Sequence, residues 1–397
     1  MNVTPPPPPI VNPSFILTLN NLFAVAQTKE LETRNAITTS KTWTFEKTLG
    51  YGAYGLTMLL SDRDPLNLRP VRKVVLKRPL MPETGVDDFV REAEALRNLR
   101  GHAHIIQLIN YTANVGDFRS RGGRLARAFR RVKAAFNNPP VNLFRALSYN
   151  HGGPAILSEY LENGSLVRVM ERLFDRRDQL PNRILWSWYH CMVSACVALT
   201  YKKEGPEGGP LEREKPQANG EHYRLIHNDI AHRNMMVDQC EPMVRQHRLV
   251  PKLVMIDFGL ARQAIPGDEI RSEQMNLTDI NIMMLGLIIP RSAVVHAEDL
   301  RLARWNGMIT QAACILNDDR LPYLDPDLQM LLAESFKCND ELEPYGRPSL
   351  EETFQRTRRG MRKPATSYSE ALRILELDET VWMIMQNLIF DADDDDD

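Results

Sequence analysis

Hydrophobic and polar positions change rhythm along this chain. From Trp43, short apolar runs predict strands at Trp43–Thr48, Leu56–Ser61 and Val71–Lys77. The next stretch, DDFVREAEALRNLR, spaces Phe89, Ala93, Leu96 and Leu99 along one face of a helix. Two further apolar runs, Ile105–Tyr111 and Ala155–Tyr160, are separated by a long insertion. After Asn163-Gly164 the pattern becomes mostly helical, with strand-like pieces at Met235–Asp238 and Leu253–Ile256. A strand-rich first part therefore precedes a helix-rich second. Residues 1 to about 40 show no strong period. They begin with the run Pro5–Pro9, which reads as a polyproline II tail or, without supporting flanks, as an SH3- or WW-type ligand.

Composition narrows the class. A length of 397 residues leaves room for two or three domains, or one bilobal unit with tails. With 43% hydrophobic residues the chain is too apolar for disorder, and 49 Lys+Arg against 51 Asp+Glu argue against a general nucleic-acid binder. Five scattered cysteines (Cys191, Cys196, Cys240, Cys314, Cys338) contain no C-x-x-C, so reduced thiols in a cytoplasmic or nuclear protein are expected rather than a disulfide framework or zinc site. The longest apolar run, Ile282–Ile289, is far short of the ~20 residues that cross a bilayer. Phe15–Ala26 is fairly apolar, but prolines stand where a signal peptide carries its positive charge. A soluble chain without a membrane span is the expectation.

Three segments look like additions. Arg119–Lys133 holds seven basic residues and no acidic one, interleaved with Leu125, Phe129 and Val132. It reads as a solvated loop, or as a contact for anionic lipid, nucleic acid, an acidic partner or the chain's own six-aspartate tail, Asp391–Asp397. Lys202–His222 has the Gly, Pro and charge content of a flexible loop.

Four motifs carry chemistry. L-G-Y-G-A-Y-G places Gly50, Gly52 and Gly55 between two predicted strands, where bare backbone can approach a polyphosphate. A Rossmann turn would open a helix instead, and an ordinary glycine-rich hairpin remains open. V-V-L-K ends in Lys77, which either snorkels to solvent or turns its ammonium inward toward an anion such as Glu92 (Glu94 competes). L-I-H-N-D-I-A-H-R-N sets Asp229 and Asn234 five apart on a loop, able to accept a hydroxyl proton and to hold a metal. L-V-M-I-D-F-G-L-A presents Asp257 directly after an apolar strand, a natural Mg²⁺ ligand. Taken singly, His227 could be a core histidine and Asp257 a turn residue.

Together these motifs occur in the order, and on the elements, of a eukaryotic protein kinase. The chain resembles that family over about residues 43 to 360. ILSEYLENGSL looks like the family's hinge, with Ser158 at the gatekeeper position and Glu159 to Leu161 facing adenine, and G-R-P-S with Arg347 looks like its late C-lobe signature. The resemblance implies an α+β, bilobal protein-kinase-like fold with a β-rich N-lobe and a mainly α-helical C-lobe. It divides the chain into a Pro-rich tail (1–40), an N-lobe (41–161) with the basic insertion at about 112–145, a C-lobe (162–390) with the flexible insertion at about 202–222, and the acidic tail (391–397). It implies transfer of the γ-phosphoryl of ATP, with Mg²⁺, to a hydroxyl of a protein substrate, Ser/Thr by default. Lys77, aligned by Glu92, would hold the α/β-phosphates under Gly50, Gly52 and Gly55. Asp229 would orient and deprotonate the acceptor, with Arg233 beside it, while Asn234 and Asp257 would bind magnesium.

Departures matter as much. Asn228 replaces the arginine of His-Arg-Asp that receives a phosphorylated activation loop. Ala231 replaces the lysine typical of Ser/Thr kinases, Arg233 stands where tyrosine kinases carry one, and Thr57 replaces a valine over adenine. No Ala-Pro-Glu motif follows Gly259, and Thr278-Asp279 reads as the start of the next helix, so the activation segment would run only from Asp257 to Asp279. Arg347 then lacks its usual glutamate, for which Glu269 or Glu273 could substitute. Two rivals follow: a pseudokinase that binds ATP and regulates a partner, and a small-molecule phosphotransferase similar to choline or aminoglycoside kinases.

Overall fold

Strand alternation in the first part of the chain builds a sheet with two different faces. The computed structural model describes residues 13–38, 43–52, 55–63, 70–80, 86–112, 154–203, 211–217, 222–265, 267, 269–289, 300–316, 321–339 and 344–391. The polyproline run, the basic run at 119–133, residues 204–210 and 218–221 of the predicted flexible loop, and all of the aspartate tail beyond Asp391 lie outside them. The chain is a mixed α/β protein of two units, one comprising residues 1–94 and 108–160, the other 95–107 and 161–397.

In the first unit, β1 (Trp43–Gly52), β2 (Gly55–Arg63), β3 (Pro70–Arg78), β4 (Leu108–Thr112) and β5 (Ala155–Glu159) form one antiparallel sheet in the order β1-β2-β3-β5-β4. Leu56, Met58 and Leu60 of β2, with Val74 and Leu76 of β3, are fully buried in one cluster. Because side chains alternate, Val75 and Lys77 point to the opposite face. The buried cluster also includes Ala26, Ala36 and Ile37 of α1 (Pro13–Thr38). The reading of residues 1–40 as a tail is thus corrected: residues 13–38 are a helix that completes the sheet's core. Its apolar residues lie all round the helix, so no single stripe marks it in the sequence. Arg78, on the core-facing side of β3, donates to Thr33 Oγ1 of α1 at 2.9 Å. Burial lowers the Arg78 pKa, opposed by the charge of Glu32.

α2 runs from Val86 to Asn98 and buries Phe89, Ala93 and Leu96, with Leu99 following, as its spacing predicts. The second unit is organised on α4 (Asn182–Thr200), whose residues are buried all round apart from Arg183. α3 (Leu166–Arg176) precedes it; α5 (Glu269–Ile288), α6 (Pro326–Ser335), α7 (Leu350–Met361) and α8 (Asp378–Met385) follow. Short strands support the loops: β6 (Leu225–Ile226) pairs with β9 (Arg262–Gln263), β7 (Met235–Val237) with β8 (Leu253–Met255), and β10 (Ala303–Trp305), β11 (Met308–Thr310) and β12 (Lys337–Cys338) form a small sheet.

A buried helix start needs partners for its first N–H groups. Pro181 at the N-cap of α4 offers no side-chain acceptor. Glu376 fills the gap, accepting from the backbone N–H of Asn182 at 2.8 Å and of Arg183 at 2.9 Å, and from Asn182 Nδ2 at 2.9 Å. Glu376→Ala would take the acceptor away from all three donors and is expected to destabilise the chain by about 2 kcal/mol or more. Urea unfolding of both proteins measures this, and a loss under ~0.5 kcal/mol would show that water replaces the carboxylate.

Candidate functional site

The residues singled out by sequence fall in both units, and each group is built by its own unit. In the first, the β1–β2 hairpin carries the three glycines. Gly50 pairs with Thr57 beyond an irregularity in the β1 register, and Gly52 pairs with Gly55. A Cβ at Gly50 or Gly52 would meet nothing within 4 Å, so packing does not demand glycine there. Gly55 is different. Its φ is +149°, and a Cβ would lie 2.6 Å from the Arg78 carbonyl oxygen. The fold requires Gly55, whereas Gly50 and Gly52 leave open backbone for a ligand to approach.

Lys77 and Glu92 meet. Nζ lies 2.8 Å from Oε1 and 2.9 Å from Oε2 of Glu92, whose side chain is buried on α2, and 5.9 Å from the centre of the Phe89 ring. The strand turns the lysine away from the core face, and the helix supplies a carboxylate where it emerges. The competitor Glu94 is exposed. Glu159 ends β5 partly exposed, and Leu161 is buried.

In the second unit, β6, one tight turn at His232–Asn234 and β7 hold the loop His227–Asn234. His227 is its pin. Its Nδ1 accepts the backbone N–H of Asp229 at 3.2 Å, which leaves the proton on Nε2 to donate to the Ile256 carbonyl at 3.1 Å. Burial keeps the ring neutral by lowering its pKa, against the Ile256 hydrogen bond and the charges of Asp257 and Asp229. The Phe258 ring stands edge-on to it at 4.8 Å. From α5, Asn276 accepts the His227 backbone N–H at 3.1 Å and donates to the Leu225 carbonyl at 2.9 Å. His232 donates to the Met283 carbonyl at 2.9 Å, against Gly286, where a Cβ would come within 3.0 Å of the ring.

That bracing presents Asp229. Asn234 Nδ2 donates to its carbonyl and to Oδ2, both at 2.8 Å, and Arg233 pairs with Oδ1. The Asn234 nitrogen is thereby committed, leaving its amide oxygen as the atom able to face a cation. Asp257 follows β8 with φ +61°, and Asn228 precedes Asp229 with φ +62°. Such backbone is uncommon outside glycine, is tolerated best by Asn and Asp, and collects at functional sites. Asn228 also donates to the Leu260 carbonyl at 2.9 Å, tying the loop to the segment after Asp257.

Two expectations are corrected. α5 begins at Glu269 rather than Thr278, so the segment after Asp257 is shorter still. Glu269 opens the helix with an acidic residue in its first turn, the signal that a reading centred on Thr278 passes over. Arg347 does not take Glu273 as its partner; it donates to the Lys337 carbonyl at 3.0 Å and to Thr278 Oγ1 at 3.5 Å. Glu273 instead feels Arg224, although burial raises its pKa overall. The side chain of Glu269 lies outside the described residues. Asn276 and His232 were missed by sequence reasoning, since their partners are backbone atoms that no spacing reveals.

No family model matches the chain, and no curated protein matches its sequence. No helix is long and apolar enough to cross a membrane among the described residues.

Two measurements probe this arrangement. Gly55→Ala is expected to cost about 2 kcal/mol of stability, while Gly50→Ala stays within ~0.5 kcal/mol of wild type in denaturant titrations. Equal losses would remove the distinction between them. Burial, aided by the neighbouring Asp229 charge, also pushes the Asp279 carboxyl from 3.8 up to about 6. Between those values the folded chain keeps a proton that the unfolded chain has released, so stability falls as pH rises through the window. Asp279→Asn should flatten this fall in unfolding curves taken from pH 4 to 6.5; an unchanged slope would assign it to other groups.

Proposed function

We propose that the chain is a protein-kinase-like phosphotransferase that moves the γ-phosphoryl group of Mg-ATP to a protein hydroxyl, Ser/Thr first. The observation that carries this reading is the hold on Asp229: Asn234 fixes its backbone and one carboxylate oxygen, Arg233 meets the other, and His227 pins the loop beneath. A carboxylate so oriented can receive the proton of an attacking hydroxyl, a contribution of about 10²–10⁴ in rate. On this reading the two units correspond to a β-rich N-lobe and a helical C-lobe.

The donor chemistry fits the implied groups. Asp257 and the Asn234 amide oxygen are hard donors of the kind Mg²⁺ takes alongside phosphate oxygens. When bound, the ion would neutralise phosphate charge and leave the phosphoryl group open to attack. Lys77, steadied by both oxygens of Glu92, would place a fixed positive charge on the phosphates, and the open backbone at Gly50 and Gly52 would let amide N–H groups approach them. Positioning and charge neutralisation do most of the work in such transfers.

A pseudokinase is the second reading, favoured by the short segment between Asp257 and α5, which leaves little chain for a peptide platform. Incubation with labelled ATP, Mg²⁺ and generic protein substrates separates the two. Transfer should fall at least ~100-fold in Asp229→Asn with ATP affinity nearly unchanged, whereas Lys77→Met and Asp257→Asn should weaken Mg-dependent ATP binding itself. Nucleotide binding without any transfer by the wild-type chain would support the pseudokinase. Absence of both transfer and ATP binding would sink the kinase-like reading altogether.

A further inference from the structure

The second unit holds a buried cluster that phosphoryl transfer leaves unused. His104 lies in the turns after α2, Cys191 on α4, and His247 in the excursion between β7 and β8. One potential ligating atom from each, a ring nitrogen or the sulfur, lies within 4.8 Å of the other two, and all three residues are buried. Three of their ring nitrogens lack a well-formed hydrogen bond. His104 Nε2 and both ring nitrogens of His247 are shut off from solvent with no partner of good geometry, while Cys191 is in no disulfide and its thiol lies within hydrogen-bonding reach of His104. A single buried donor or acceptor left unpaired costs about 1–3 kcal/mol, and native proteins rarely gather three at one point without a ligand.

The surroundings point to a metal ion. His104 Nδ1 lies 2.6 Å from Glu214 Oε2, and the other oxygen of that wholly buried carboxylate accepts the His104 backbone N–H at 2.8 Å. A carboxylate on one ring nitrogen fixes the tautomer and aims the other nitrogen inward, the usual support of a metal-ligating histidine. The excursion that delivers His247 is itself stapled: Lys252 Nζ reaches Asp238 at 3.1 Å and Glu241 at 2.9 Å, while Glu241 N donates to the His247 carbonyl at 2.9 Å.

We propose that His104, His247 and Cys191 form a three-ligand zinc site, with Glu214 as the carboxylate behind His104. Two imidazoles and a thiolate suit Zn²⁺ and offer nothing to the oxygen-seeking Mg²⁺ or Ca²⁺. Charge closes as well: the Cys191 thiolate and Glu214 together balance a dication, so the group is neutral where burial penalises net charge. On binding, Cys191 Sγ and His104 Nε2 each give up a proton to solvent, and the metal–sulfur and metal–nitrogen bonds form in their place. His104 and Glu214 also line a cavity of about 430 Å³. Arg213, Lys215, Arg245, Arg358 and Arg362 line the same cavity and oppose the passage of a cation. The ion is therefore expected to enter as the unit folds and to exchange slowly.

The test uses the full chain expressed in minimal medium with zinc and, separately, with cobalt. Elemental analysis should give close to one metal per chain, and the cobalt form should show a thiolate-to-cobalt charge-transfer absorption that disappears in Cys191→Ser and persists in the control Cys196→Ser. His247→Gln should lower metal retention after dialysis against chelator at least ~10-fold, the range for loss of a metal ligand or its support. A metal content under a tenth of an equivalent, or an absorption that survives Cys191→Ser, would overturn the proposal. Should that variant not fold, zinc X-ray absorption on the wild-type chain decides. One sulfur at ~2.3 Å with two imidazole nitrogens at ~2.0–2.1 Å supports the site, and an all-sulfur or all-oxygen shell refutes it.

Discussion

The candidate loop of the second unit depends on one buried ring. His227 uses its backbone N–H and both ring nitrogens, and every partner but the Asn276 amide is main chain of the loop or of the strand end beside it. This commitment lets two non-glycine residues, Asn228 and Asp257, sit at positive φ on either side of it. Left-handed backbone costs roughly 1–2 kcal/mol per ordinary residue, so it persists only where neighbours over-determine it. Asn276 does so from α5, Phe258 from beneath, and Asn234 from the loop's far end. Asp229 thus takes its place from the His227 ring at its backbone N–H and from the Asn234 and Arg233 side chains at its carboxylate.

What could be read from the chain follows from the range of the interactions. The strands, α2 and the meeting of Lys77 with Glu92 rest on local rhythm: a period of two places Lys77 away from the core, and a helical period buries Phe89, Ala93 and Leu96. α1 was missed because its apolar residues form no stripe and the preceding prolines suggest a tail. The start of α5 is hard to place in the sequence because Thr278-Asp279 offers a cap-like pair inside the helix, whereas the true start carries only the acidic first turn at Glu269. Glu376 at the start of α4, Asn276 beneath the loop and Glu214 behind His104 were beyond reach for another reason. Each is an ordinary polar residue whose partner is remote in sequence and often a backbone atom.

The three glycines of one motif also divide once packing is considered. Gly55 satisfies the fold, since only a residue without Cβ can pass the Arg78 carbonyl. A Cβ at Gly50 or Gly52 would meet nothing within 4 Å, so packing against the described residues gives no reason for glycine at either position. A motif match counts all three alike.

Asn228 is one break with the kinase pattern, and the structure gives it a physical reason. An arginine at that position serves as a receiver for phosphate on a mobile segment. Asn228 instead suits the left-handed backbone it occupies and donates directly to the Leu260 carbonyl. The segment after Asp257 is thereby tied to the loop through neutral groups, and β6–β9 pairing secures it again just beyond. A long segment switched by added charge needs a cationic receiver and slack chain. With α5 beginning at Glu269 this chain has little slack, and Asn228 is no such receiver. On the kinase-like reading the link between Asp257 and the loop is built into the fold, and Asn228 cannot serve as the receiver of a phosphate on this segment.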